Sequence, residues 1–154
     1  MAVLQNARLS DGRQVDLVVD GGHITAIHDA GEAPDADQAV DDLGGWLLLP
    51  AMAEPHAHLD KALTAEKVPN PTGDLLGAID AWISAAAAGM FTHEDTVERA
   101  AAAMELLLVH GVTLVRTHVN VMGDNQTKAL RAVVEAAERF EGLLDVQTVA
   151  LTSS

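Results

Sequence analysis

Without a single cysteine among its 154 residues, the chain forms no disulfide, offers no thiolate nucleophile and holds no Cys-ligated zinc. Histidine, aspartate and glutamate are left as its metal ligands, and a cytoplasmic location is expected. Basic residues are scarce too: nine Lys and Arg stand against 23 Asp and Glu, a formal net charge of -14. A surface of that sign repels phosphate backbones and anionic bilayers, so neither nucleic acid nor membrane is expected as a partner. No run approaches the roughly 20 apolar residues that span a bilayer, and the N-terminus has no basic segment leading into an apolar one. What is present is the composition of a folded chain, 49% hydrophobic and long enough for a real core.

Helix-length periodicity is missing up to about Leu49. Short β segments at residues 3–9, 15–19, 23–28 and 46–49, punctuated by Asp11-Gly12 and Asp20-Gly21-Gly22, predict a small sheet or half-sandwich. Residues 31–37, acidic and Pro-containing, read as an exposed loop. Beyond them the apolar run Leu47-Leu48-Leu49 leads through Pro50 into Glu54-Pro55-His56-Ala57-His58-Leu59-Asp60-Lys61. On a strand, side chains two apart share a face, so His56 and His58 can present their imidazoles to one point, where a metal ion could sit. The plainer alternative is a pair of half-buried histidines hydrogen-bonded to backbone.

The pattern then changes. Val68-Pro69-Asn70-Pro71-Thr72-Gly73 excludes a helix, leaving a loop of about fifteen residues after His58. Asp74 is a candidate N-cap for a helix to about Ala88, and Thr92 with Asp95 resembles a capping box opening a second helix that stops at Gly111. Residues 112–121 read as a strand, 124–140 as a helix with Leu130, Val133, Val134 and Ala137 on one stripe, and 145–151 as a strand. Strand, helices, strand, helix, strand is the order of parallel β/α units. Arg116 inside an apolar strand is expected in a structural ion pair if buried. Trp46 and Trp82 are expected in core or interface packing, and His23, His28, His93 and His110 as ordinary surface or capping residues.

The stretch from Leu49 to Leu63 resembles the amidohydrolase superfamily, and Glu54-Pro55-His56-Ala57-His58-Leu59-Asp60-Lys61 narrows the resemblance to its cytosine deaminase-like branch. Residues 115–121 and 145–150 look like that branch's second and third barrel strands, and the N-terminal strands look like the small β-sandwich preceding the barrel. The resemblance implies an α/β fold: residues 1–49 a β-sandwich portion, and residues 50–154 the first β/α units of a TIM-like barrel. Such a barrel takes about 250 residues, so the chain is expected to be the N-terminal part of a longer polypeptide.

The resemblance further implies a metal-dependent hydrolase of carbon-nitrogen bonds, most often a deaminase. His56 and His58 would bind one divalent ion, zinc or iron, whose activated hydroxide attacks a small cyclic substrate. His118, Asn120, Leu63 and Ser153 are expected to line the substrate site, with Asp60 and Lys61 supporting the ligands from behind. His118 is also open as a third ligand, and Glu54 as an orienting group. Asn120 stands where the branch usually has aspartate, and Ser153 where cytosine-specific members have glutamine. That favours a related cyclic amide, amidine or azine over cytosine. A homo-oligomer is expected, and the isolated segment is expected to be inactive. The contrasting reading is a shortened, non-catalytic chain serving as an oligomeric binding or assembly module.

Overall fold

Valine-rich alternation and tight glycine turns shape the first fifty residues into β1 (Ala2–Arg8), β2 (Gln14–Asp20), β3 (His23–Asp29) and β4 (Val40–Asp42). The computed structural model describes residues 1–34, 40–121 and 127–152. It divides into two units, Met1–Pro50 and Ala51–Ser154. In the first, the strands form one sheet in the order β3-β2-β1-β4, with β2 antiparallel to both neighbours and β4 parallel to β1. Gly21 and Gly22 make the two-residue turn between β2 and β3 at φ 56° and 80°, the paired positive angles such hairpins need. Ala7, Val15 and Leu17 are fully buried on one another, with Leu4, Leu9, Leu43 and Leu48 packed around them.

A bulge interrupts β1 between Leu4 and Ala7, and Asn6 sits there at φ 56°. The buried Asp16 carboxylate holds it, accepting hydrogen bonds from the N–H groups of Asn6 (2.9 Å) and Gly31 (2.8 Å). Those amides keep the Asp16 carboxyl below its usual pKa.

Residues 46–49 do not form the expected strand. Gly44 and Gly45 both adopt positive φ and turn the chain, so residues 46–49 meet β1 at Arg8 through one bridge at Leu47, with the Trp46 carbonyl accepting from the Arg8 N–H at 2.9 Å and the Leu48 N–H donating to the Arg8 carbonyl at 2.8 Å. The place beside β1 belongs to Val40–Asp42 instead. Trp46, expected in packing, is 81% exposed.

The second unit contains β5 (Met52–Ala57), α1 (Leu75–Ala87), α2 (His93–Val109), β6 (Val112–Asn120), α3 (Lys128–Glu138) and β7 (Asp145–Leu151). Its three strands run parallel in the order β5-β6-β7. Both expected helix starts are present: the Asp74 carboxylate accepts from Gly77 N–H at 2.7 Å, and the Thr92 hydroxyl from Asp95 N–H at 3.1 Å. The start expected for the third helix falls partly at 122–126, outside the described residues; the described helix begins at Lys128.

Strand alternation divides β6 between two environments. Val115, Thr117 and Val119 are fully buried in a core with Val97, Ala100, Met104, Ala132, Val133 and Ala136 from α2 and α3. Three alanines with no exposed surface explain why these helices are alanine-rich: small side chains let them approach closely. Arg116, Gln147 and Val149 occupy the alternate positions and are exposed. Among the described residues Arg116 forms no ion pair; its guanidinium donates twice to Gln147 Oε1, at 3.0 and 2.8 Å, across the β6–β7 register. Trp82 stacks on Phe91 at 5.4 Å between ring centroids.

Candidate functional site

His56 lies on β5, and His58 follows one residue after its end, where the backbone is still extended enough (φ -127°, ψ 76°) to keep the two-residue alternation. Their ring centroids are 5.3 Å apart. His118, on the neighbouring β6, brings a third ring within 4.6 Å of His56 and 5.9 Å of His58. A shallow groove lined by Glu54, His56, His58, Leu59, Leu106 and Leu107 opens beside the pair.

The protonation of His58 is legible from its contacts. Its Nδ1 stands 2.8 Å from the His118 carbonyl oxygen, which only accepts, so Nδ1 carries the proton and Nε2 keeps a free lone pair. Burial lowers the His58 pKa, and the nearby Lys61 charge lowers it further, so the ring is held neutral. A neutral imidazole with one nitrogen anchored to a carbonyl and the other free is the donor state a divalent metal takes. His56 and His58 fit as two of its ligands. Among the described residues no group of three or more His, Asp or Glu side chains is arranged to hold an ion, His118 included.

The expected supporting residues gather at the same strand ends. Asp60 is buried, with Oδ2 3.5 Å from Lys61 Nζ and 3.4 Å from the Asn120 N–H, and with Oδ1 lacking a hydrogen-bond partner among the described residues. His118 Nδ1 and Asn120 Oδ1 are likewise buried without a partner among the described residues. Lys61 Nζ lies 5.4 Å above the Trp82 ring. Glu54 accepts from the His56 N–H at 2.9 Å and so acts on the backbone of the motif. Leu63 is half-exposed in a left-handed conformation, φ 56°, that a branched residue adopts only under constraint. Ser153 lies outside the described residues.

Two contributors were not anticipated. Thr117 accepts from the Leu59 N–H at 3.0 Å, entirely buried. Arg99, 6% exposed on α2, reaches the segment directly after His58. The spacing of Asp95 and Arg99 is visible in the sequence as an i,i+4 pair, but the backbone carbonyls that Arg99 binds are not.

No protein-family model matches the chain. Pterin deaminase of Rhizobium rhizogenes is 32% identical over 138 residues, 90% of this chain and 31% of that protein. N-isopropylammelide isopropyl amidohydrolase of a Pseudomonas species is 31% identical, over 99% of this chain and 38% of its own length. Over nearly its whole length the chain is thus similar to part of a deaminase and part of an amidohydrolase. The crystal structure of 5-methylcytosine deaminase from Klebsiella pneumoniae superposes with a TM-score of 0.83 at 35% identity, covering 96% of this chain and 36% of that one. The chain thus spans about a third of the length of the curated relatives it matches.

Proposed function

We propose that this chain is the N-terminal part of a metal-dependent amidohydrolase, a deaminase of small cyclic amides, amidines, pyrimidines or triazines. The observation that carries the reading is the His56–His58 pair at the end of a parallel strand, with the His58 tautomer fixed by the His118 carbonyl. It stands in a chain whose relatives are named as deaminases and amidohydrolases. Residues 50–154 are the opening β/α units of a TIM-like barrel, and residues 1–49 a portion of the β-sandwich that precedes it in the chain. The remaining ligands and the proton-transfer groups come from later strands of that barrel. The assembled enzyme is a cytoplasmic homo-oligomer.

The ion, zinc or iron, supplies Lewis-acid activation of water when bound. His56 and His58 hold it; Glu54 fixes the backbone of the motif, and Asp60 and Lys61 shape the wall behind it. His118, Asn120 and Leu63 face the substrate. With asparagine at 120 the wall carries one carboxylate fewer, which suits a neutral ring over a cationic one.

The test is ammonia or amine release from a panel of pterins, pyrimidines and triazines by the intact polypeptide, alongside His56→Ala and His58→Ala. The reading expects release from at least one ring class and a loss of at least 1,000-fold in either variant. Equal turnover by the variants would refute it. An intact polypeptide of the present length that carries no metal and assembles into a stable oligomer would favour the binding-module reading. The exposed Leu75, Leu76, Ile79 and Ile83 on α1 keep that reading in view.

A further inference from the structure

The segment that follows His58 is built as a rigid bracket. Leu59–Lys61 forms a single 3-10 turn whose first N–H is bound by the buried Thr117 hydroxyl of β6. On its other side Arg99 donates from one nitrogen to the carbonyls of Asp60 (3.1 Å) and Ala62 (2.7 Å). Its Nε donates to Asp95 at 2.8 Å, its second amino nitrogen lies 3.4 Å from the Thr96 hydroxyl, and its face lies 5.2 Å from the Phe91 ring. Asp95 also takes Lys67 at 2.7 Å, so one carboxylate ties α2 to the far end of the same loop. A guanidinium 6% exposed is costly to desolvate, and it persists where its donors are used. Here they are spent on backbone carbonyls that belong to the turn starting at His58.

We infer that Arg99 is a positioning residue for the metal pair: it fixes the turn that holds the His58 ring against the His118 carbonyl. This rests on the proposed metal site for its purpose, while the positioning itself is a property of the protein alone. Lysine cannot replace it, because a single ammonium cannot reach two carbonyls and Asp95 in a planar fork.

The experiment compares the full chain with Arg99→Lys, Asp95→Asn and, as a control, Arg139→Ala, which removes an exposed ion pair to Glu98. Long-range proton–nitrogen NMR of the imidazoles reads the His58 tautomer, amide exchange reads the Leu59 N–H, and a cobalt(II) titration reads affinity. Arg99→Lys is expected to mix the His58 tautomers, speed Leu59 exchange at least tenfold and weaken cobalt at least tenfold, with the far-UV spectrum unchanged. Asp95→Asn gives the same shifts at smaller amplitude and carries the test should Arg99→Lys fail to fold; Arg139→Ala gives none. An unchanged tautomer and Leu59 exchange in the folded variants would overturn the inference. Absence of cobalt binding by the parent chain counts against the metal site, and the two NMR readouts still decide the role of Arg99.

Discussion

The two faces of the parallel sheet are made by the same strands and have opposite fates. On one, Val115, Thr117 and Val119 are sealed beneath α2 and α3 with no exposed surface. On the other, His56, Arg116, Gln147 and Val149 meet solvent, and the proposed metal ligands His56 and His58 lie at the end of β5 that borders it. Parallel sheets are ordinarily covered on both faces. Stability in this unit therefore resides on the covered face, and the proposed chemistry at the strand ends of the open one; Thr117 and Arg99 connect the two by reaching from the core to the turn after His58.

Substitutions on the two faces should separate accordingly. The largest expected effect is Met104→Ala, which empties a fully buried site on α2 and should cost about 2–5 kcal/mol in urea unfolding. Thr117→Val comes next: the Leu59 N–H would stay buried without an acceptor, a loss of about 1–3 kcal/mol. Double-mutant coupling with Arg99→Lys should then be non-additive, since both hold one turn. On the open face, Val149→Ser should change stability by no more than about 0.5 kcal/mol. A loss there as large as at Met104 would show that the open face is packed in the intact protein and would redraw the contrast.

A pH experiment sharpens the same contrast in the first unit. Asp16 is held below its usual pKa by backbone amides, so its contribution is present above the ordinary carboxylate range. It is lost as pH falls through the depressed folded value. Asp16→Asn is expected to flatten the acid limb of the stability curve, measured by chemical unfolding between pH 6 and pH 3 on the scale set by ordinary carboxylates. An unaltered acid limb would place the acid sensitivity elsewhere.

Local rules reached much of this in advance. The caps at Asp74 and Thr92, the Gly21-Gly22 turn and the β6 and β7 strands follow from residue type and spacing, which is why they are readable without coordinates. The adjacency of His56 and His58 follows from strand alternation. Residues 46–49 misled because an apolar run signals burial without saying against what, and two positive-φ glycines had already turned the chain. Arg99 stayed hidden because its partners are carbonyls some 40 positions away, which no side-chain pattern reports. Arg116 was expected to need an acid because its strand looked buried, and it sits on the side that is not.

Metal stoichiometry of the intact polypeptide, measured by elemental analysis beside His56→Ala and His58→Ala, bears on the proposed site with the fewest intermediate assumptions. The account predicts about one zinc or iron per chain in the parent and a near-complete loss in either variant with the fold retained. An equal metal content in parent and variants, or none in the parent under metal-replete expression, would contradict it.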